Sequence, residues 1–267
     1  MKKLFLVVSV LVVTTTFYAC FKNPVTGRSS LNIAPESEMR QMATQQYATV
    51  ISSGNVSKGT KDAEMVQRVG QKISKAVGEY LSSIGKADII ADYKWEFNLI
   101  NDNQVNAWCM PGGKVAFYTG IMPLCQNEAG VATVMGHEIA HAISRHGNER
   151  FSQGLMQQFG GVALSVALAE KPQETQALYL GAYGALSQVG VMLPFSRSHE
   201  SEADHMGLIF MAMAGYNPNE AINFWQRMAA QGGAKPPEFL STHPSDERRI
   251  NDIRGKIPEA MKHYKPN

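Results

Sequence analysis

The chain has 267 residues, of which 44% are hydrophobic, and its formal net charge is +2, from 25 Lys and Arg against 23 Asp and Glu. This length is sufficient for one domain with a sizeable core. The near balance of charge, with no basic cluster, excludes nucleic acid as a partner.

The first twenty residues are typical of an export signal. Two lysines precede an apolar run over residues 4–13, which is too short to span a membrane. Ala19 stands directly before Cys20, as in bacterial lipoprotein signals, although Phe17 replaces the usual Leu. We therefore predict that residues 1–19 are removed and that Cys20 carries lipid. The alternative is an ordinary cleaved signal that leaves a free thiol.

Residues 20–267 are predicted to form one domain of the α+β class, mainly helical. Its first predicted elements are a helix over 63–84 and strands over 95–100, 106–110 and 115–118. Pro111-Gly112-Gly113 joins the last two strands into a hairpin, because Pro presets φ and Gly accepts a positive φ. Cys109 and Cys125 flank this hairpin, and the sequence leaves open whether they form a disulfide.

The next predicted helix, over residues 127–145, contains His137-Glu138-Ile139-Ala140-His141. Residues four apart on a helix share a face, so both imidazoles can bind one zinc ion. Glu138 points to a neighbouring sector, where it is placed to act as general base. A chance occurrence is the alternative, but the segment has no Pro and has the apolar periodicity of a helix with a buried face. Gly136 indicates the close approach of another backbone.

An apolar stretch follows this helix. Helices over 153–169 and 175–192 are predicted to form an antiparallel pair that is broken near Lys171-Pro172. The apolar run within it, residues 159–169, is too short to span a bilayer. Three roles stay open for the pair: covering the active-site groove, touching the membrane surface, or packing on the core.

A catalytic zinc site takes three protein ligands, so a third ligand is expected elsewhere in the chain. Within residues 196–204, Glu200 and Asp204 lie one helical turn apart on a shared face, whereas Glu202 is turned away by about 200°. We predict Glu200 as the ligand and Asp204 as the acceptor of a zinc-bound imidazole N–H. A solvated acidic helix face is the alternative, and His199 is predicted to lie at the surface.

Helices over 203–214 and 218–231 complete the predicted elements, and a segment with His243-Pro244 and Arg249 follows them. Five motifs together carry a family resemblance: Asn23-Pro24-Val25-Thr26-Gly27-Arg28, Asn106-Ala107-Trp108-Cys109-Met110-Pro111-Gly112-Gly113, the His137 to His141 helix, Ser196 to Asp204, and His243-Pro244 with Arg249. Over about residues 23–253 the chain resembles the gluzincin metallopeptidases, which include the CAAX prenyl proteases, HtpX and the mitochondrial Oma-type proteases. It is most similar to bacterial lipoprotein or periplasmic proteases of the LoiP and BepA type.

The resemblance implies a zincin-like domain with a small β-sheet whose edge strand lines the active-site cleft. It makes Glu200 the third ligand of one zinc ion per chain, in agreement with the helical-face argument. It also places Asn106 and Ala107 on that edge strand, where an extended substrate pairs through its backbone. A hairpin that merely covers the core is the alternative.

The resemblance further implies that His243 and Arg249 lie near the zinc. There they are suited to stabilise the oxyanion, or His243 occupies the open zinc position as a latch. The alternative is a loop histidine and a solvated arginine.

The expected function is that of a zinc metalloendopeptidase of the bacterial cell envelope, which cleaves unfolded or misassembled proteins in protein quality control. Its expected location is the periplasmic face of the outer membrane, to which the lipid on Cys20 anchors it. Two rival functions remain: a zinc-binding chaperone or assembly factor with latched or low proteolytic activity, and a non-proteolytic zinc hydrolase that acts on small substrates.

Overall fold

The computed structural model describes residues 20–53, 55–188, 193–231, 237–244 and 247–266, and for residues 193–195 it describes the backbone only. Residues 1–19, the predicted signal, lie outside these ranges, so the predicted boundary before Cys20 stays a prediction. The described chain divides into two compact units. The small unit comprises residues 20–36 and 145–199, and the large unit comprises residues 37–144 and those from 200 onward.

The protein is mainly helical with small sheets, as predicted from the sequence. The strands are β1 (Cys20–Lys22), β2 (Ser29–Leu31), β3 (Val56–Ser57), β4 (Glu96–Ile100), β5 (Ala107–Met110) and β6 (Lys114–Tyr118). The helices are α1 (Glu36–Ser52), α2 (Lys61–Ser83), α3 (Met122–Cys125), α4 (Glu128–Ile143), α5 (His146–Ala167), α6 (Gln173–Ser187), α7 (Leu193–Met213), α8 (Glu220–Ala230), α9 (Glu238–Thr242) and α10 (Glu247–Ala260). None of the helices in the described ranges has the length and hydropathy needed to cross a membrane.

The sheet of the large unit has four strands in the order β3-β4-β6-β5. β4 and β6 are parallel, and β5 pairs with β6 antiparallel, with Ala107 opposite Phe117. The hairpin between β5 and β6 forms as predicted, with φ of +88° at Gly112 and +82° at Gly113. A Cβ at Gly113 would lie 2.7 Å from the Trp95 ring, so this turn also requires glycine for space.

Helix α4 is central to the large unit. Every residue from Gly130 to Ile143 is buried, so the helix is enclosed on all sides. Its amphipathic pattern predicted burial of one face only. Its neighbours include α2, α8 and β5. This position places the His137 and His141 side chains away from bulk water.

A contact between two glycines sets the approach of α4 and α7. A Cβ at Gly136 would lie 2.7 Å from the carbonyl oxygen of Gly207, and a Cβ at Gly207 would lie 2.8 Å from the backbone nitrogen of His137. Real Cβ atoms are not found this close to backbone atoms, so neither position accepts a side chain without a shift. The backbone approach predicted at Gly136 is confirmed.

In the small unit, β1 and β2 form an antiparallel pair and α5 contacts both β2 and α6. The turn between the strands is made by the Asn23 to Arg28 motif, in which the Asn23 side-chain oxygen accepts from the backbone N–H groups of Val25 and Thr26. The predicted helical pair is present, but its first helix begins at His146 and its second ends at Ser187. Residues 189–192, predicted as helix, lie outside the described residues.

Candidate metal centre

Four side chains of the large unit bring one atom each to a common point. His137 and His141 come from successive turns of α4, Glu200 comes from α7, and His243 directly follows α9. The Nε2 atom of His137 lies 3.1 Å from Nε2 of His141 and 3.2 Å from Oε2 of Glu200. All four residues are at most 7% exposed. The structure thus brings together the three residues predicted as metal ligands.

His243 is the fourth member of this group. Its Nδ1 lies 3.1 Å from Nε2 of His137 and 2.9 Å from Oε2 of Glu200. Its Nε2 lies 3.4 Å from Oε1 of Glu138. One imidazole therefore joins the ligand group to the carboxylate that was predicted as the general base.

Asp204 lies behind His137, one turn after Glu200 on α7. Its Oδ1 is 2.9 Å from Nδ1 of His137, so we assign the ring proton to Nδ1, which donates to the carboxylate. The Nε2 atom of His137 then carries a lone pair, as a metal ligand must. Glu202 is buried elsewhere on α7 and is not among the four converging residues.

Arg249 is buried beside Asp204. Its Nε donates to Oδ2 of Asp204 at 2.9 Å and its NH2 group donates to Oδ1 at 2.8 Å. Its NH1 group lies 3.0 Å from the carbonyl oxygen of Pro244 and 3.1 Å from Oε2 of Glu200. The N–H groups of Arg249 are therefore directed at Asp204, Pro244 and Glu200. The expected role required them to point at the oxyanion of a bound substrate.

The pKa shifts in the group favour negatively charged Glu200 and Asp204 beside a positively charged His137. Burial raises the pKa of Glu200, but His141 and His243 outweigh burial and hold the pKa well below its usual range. Burial likewise raises the pKa of Asp204, which Arg249 and His137 bring below its ordinary value. Burial lowers the pKa of His137, yet its hydrogen bonds with Asp204 and Glu200 raise it to about 9. In the absence of a metal the imidazole would therefore hold a proton at neutral pH.

The donor set fits a tetrahedral metal ion. Ligand distances of about 2.0–2.1 Å, as zinc has with histidine and carboxylate, give a tetrahedron with edges of about 3.3 Å. Nε2 of His137 lies 3.1 Å from Nε2 of His141, 3.1 Å from Nδ1 of His243 and 3.2 Å from Oε2 of Glu200, close to these edges, whereas His141 contacts the other carboxylate oxygen, Oε1, at 3.3 Å. Among the described residues, Oε1 of Glu200 is buried without a hydrogen-bond partner. A metal ion among these atoms would be bound by their lone pairs, and without it the proton held by His137 can be shared with the ring nitrogens of His141 or His243 at 3.1 Å.

Strand β5 lies against α4 at the end of the sheet. The carbonyl oxygen of Asn106 accepts from the N–H of Tyr118 in β6, and strand alternation therefore directs the N–H and C=O groups of Ala107 and Cys109 to the free edge. The side-chain oxygen of Asn106 accepts from the N–H of Ala107 at 2.9 Å. Of the two residues predicted to contact substrate, Ala107 presents its backbone to the edge, and Asn106 presents only its side chain.

Two side chains near the metal group were not predicted to have a role there. Trp225 of α8 lies over Arg249, with the guanidinium carbon 3.4 Å from the ring centre. Cys109 lies close enough to Glu138 for the carboxylate to add to burial in raising the thiol pKa. The alternation of β5 could have placed Cys109 on the inner face, whereas nothing local to α8 indicates the position of Trp225. Cys109 and Cys125 are both free thiols.

A second polar cluster lies in the small unit. His199 is fully buried, so the prediction that it lies at the surface is wrong. Its Nε2 lies 2.8 Å from Oε2 of Glu149, its ring stacks on His146 at 4.2 Å, and Arg28 binds both oxygens of Glu149 at 2.8 Å. A histidine beside a charged pair is buried because the carboxylate satisfies its N–H.

Comparisons with known proteins agree with this geometry. The profile of peptidase family M48 matches residues 61–257, a range that contains the four converging residues. The chain is 34% identical over 244 residues to the mitochondrial metalloendopeptidase OMA1 of Schizosaccharomyces pombe, covering 89% of this chain and 66% of that protein. It is 30% identical over 251 residues to the human metalloendopeptidase OMA1, covering 90% of this chain and 46% of that protein.

A bacterial protein also matches. The beta-barrel assembly-enhancing protease of Escherichia coli strain K12 is 31% identical over 168 residues, which cover 61% of this chain and 34% of that protein. In each of these comparisons the chain spans less than two thirds of the relative's length.

Proposed function

The chain belongs to peptidase family M48, and we propose that it is a zinc-dependent endopeptidase of the bacterial cell envelope that cleaves unfolded or misassembled proteins. The observation that carries this proposal is the convergence of His137, His141 and Glu200, with Glu138 beside them. Two histidines and one glutamate are a ligand set of hydrolytic zinc sites.

Zinc in such a site activates water and polarises the peptide carbonyl. The role of the chain is to fix the ligands. Asp204 holds the His137 proton on Nδ1, and Arg249 holds both carboxylate oxygens of Asp204 and reaches Glu200. We assign Arg249 this positioning role in place of oxyanion stabilisation.

Glu138 is the proton carrier in this proposal. It follows His137 in α4 and lies on the same side of the group as His243. It accepts a proton from the attacking water and passes that proton to the leaving amine, as a carboxylate in this position is suited to do. His243 has two states in the proposal. With Nδ1 in the ligand group it latches the site, and once withdrawn it can donate to the oxyanion.

The substrate is an extended chain. The outward-facing backbone groups of Ala107 and Cys109 can pair with it as an added strand, while β5 itself is held by β6. The N–H of Ala107 is bonded to the Asn106 side chain, so substrate must displace that contact. Main-chain pairing requires an unfolded segment and reads few side chains, which supports quality-control substrates.

We propose that Cys20, exposed at the start of β1, carries the lipid that anchors the protein at the periplasmic face of the outer membrane. The second candidate function, a zinc-binding chaperone or assembly factor with low proteolytic activity, is favoured by one observation. His243 lies among the three predicted ligands and would be a fourth ligand to a bound metal ion, in competition with water.

Degradation of unfolded casein by the purified protein, with and without a zinc chelator, tests the proposal. We expect cleavage that the chelator abolishes and that added zinc restores. Casein bound but not cleaved, with zinc present and His243→Ala equally inactive, would favour the chaperone function.

A further inference from the structure

In the small unit, polar side chains are buried and many large apolar side chains are exposed. Every side chain that the structure describes as buried in it is polar: those of α5 and α7 are His146, Asn148, Glu149, Ser152 and His199, and the others belong to residues 23–32. Many of its large apolar side chains are exposed, among them Phe159 at 65%, Val162 at 56%, Val166 at 72%, Leu178 at 70% and Leu186 at 72%, and the other described ones are only partly buried. A domain surrounded by water shows the opposite arrangement.

Several buried polar groups of this unit are hydrogen-bonded to one another, although Nδ1 of His199 and Oδ1 of Asn32 have no hydrogen-bond partner among the described residues. Glu149 receives two hydrogen bonds from Arg28 and one from His199. Ser152 donates to the carbonyl oxygen of Asn148 and accepts from the N–H of Ile33. Pairing of polar side chains in the interior, with apolar side chains outside, is the arrangement found where the surroundings are lipid.

The exposed apolar residues form stripes and are not scattered. On α5 they recur at 159, 162 and 166, spacings of three and four residues that place them on one helical face. Residues 151–169 and 175–188 contain no Asp, Glu, Lys or Arg. A helix face turned to water normally carries charged residues, so the α5–α6 face is suited to an apolar environment.

This apolar face continues to the start of β1. Cys20 pairs directly with Leu31 across the β1–β2 ladder. Leu31, together with Met156 of α5 and Leu186 of α6, lines an open cavity of about 590 Å³. Cys20 is therefore at the first position of a strand that is built into this surface, with no tether between the cysteine and the unit.

We propose that the exposed apolar face of α5 and α6 contacts the acyl region of a lipid bilayer, so that the small unit is docked on the membrane that Cys20 anchors. This inference rests on the proposed lipid attachment for the choice of occupant, because lipid on Cys20 would bring the adjoining face to the bilayer. An apolar helix face adds a contact with the acyl region beyond the one that lipid on Cys20 makes.

A fluorescent label at single positions tests the contact. The full chain with Cys20→Ser receives Val166→Cys or Leu178→Cys and an environment-sensitive dye, and vesicles of phosphatidylethanolamine and phosphatidylglycerol are added. Met42→Cys, at an exposed apolar residue of the large unit, is the matched control. Cys20→Ser without a new cysteine measures labelling of Cys109 and Cys125.

We expect vesicles to shift the emission to the blue at residues 166 and 178 and to leave it unchanged at residue 42. Phe159→Glu and Val166→Glu should each lower vesicle binding about tenfold or more, since each removes a buried apolar side chain from the contact. No shift at 166 and 178 would overturn the proposal. So would a shift that needs no vesicles and grows with protein concentration, which would assign the face to a second copy of the chain.

Casein degradation by the same variants keeps this inference separate from the proposed activity. The label positions belong to the small unit and the metal group to the large unit. A protein that cleaves nothing but shows the shift would refute the protease function alone, and an active protein without the shift would refute the membrane contact alone.

Discussion

The guanidinium carbon of Arg249 lies 3.4 Å from the centre of the Trp225 ring. The same indole meets the His137 ring edge-on at 5.7 Å and stacks on Phe239 at 5.8 Å. Trp225 thus supports Arg249 from one side while Asp204 holds it from the other. Trp225, which is not among the predicted ligands, therefore supports the orientation of His137 both by this direct ring contact and through Arg249 and Asp204.

Trp225→Leu should weaken zinc binding about tenfold or more, because a buried cation–π contact contributes about 2 kcal/mol. The zinc affinity of Trp225→Phe, which keeps an aromatic ring, should lie between that of Trp225→Leu and that of the wild type. Competition with a zinc chelator of known affinity measures the effect, and Trp95→Phe is the control. A loss confined to thermal stability, with zinc affinity unchanged, would reduce Trp225 to a packing residue.

Glu138→Gln should abolish casein cleavage while about one zinc ion per chain is retained. The substitution removes a proton acceptor but no ligand, and loss of a general base typically costs about 10²–10⁴ in rate. Metal analysis and a cleavage assay on one preparation measure both quantities. Glu64→Gln, at an exposed residue of α2, is the matched control. Near-normal cleavage by Glu138→Gln would remove the general base from the mechanism.

Glu200→Gln should lower zinc affinity steeply, because a neutral amide replaces the carboxylate that lies within 3.3 Å of both His137 and His141. Glu202→Gln should bind zinc as the wild type does, since Glu202 is not among the four converging residues. Both residues are buried in α7, so the pair controls for burial. Zinc titration giving the reverse order would exchange their roles.

Glu149 should make stability depend on acid pH. Burial raises the pKa of Glu149, but hydrogen bonds from Arg28 and His199 outweigh burial and lower it from an ordinary value of 4.5 to about 2. A lowered pKa stabilises the fold above the unfolded value, and this contribution is lost as pH falls from about 4.5 towards 2. It amounts to about 3 kcal/mol at neutral pH.

Urea unfolding of the wild type and of Glu149→Gln measures this contribution. The difference between the two proteins should be largest above pH 5 and should shrink as the pH is lowered through the window. A difference that stays constant from pH 6 to pH 3 would show that Glu149 stabilises the fold by packing and not by charge.

Much of the metal group was predictable because its geometry is local. The four-residue step between His137 and His141, and that between Glu200 and Asp204, each depend only on helix geometry. The turn at Gly112 and Gly113 depends only on backbone conformation. Short-range rules of this kind hold whatever the rest of the chain does.

The features that the sequence did not predict depend on contacts between residues that are far apart in the chain. His199 is buried because Glu149, fifty residues earlier, accepts its hydrogen bond. Trp225 reaches Arg249 from a different helix. Arg249 was expected at the oxyanion, and only the position of Asp204 shows that its N–H groups are taken. Periodicity and spacing carry no information on such pairings.

The contact between Gly136 and Gly207 also limits which ion the protein can hold. The backbones of α4 and α7 already touch directly in front of His137, so the two helices that supply His137, His141 and Glu200 cannot move closer, and their packing resists separation. Calcium needs six to eight oxygen ligands at 2.3–2.6 Å, a wider and differently composed shell. We therefore expect the proposed preference for zinc to depend partly on Gly136 and Gly207, two positions that have no side chain at all.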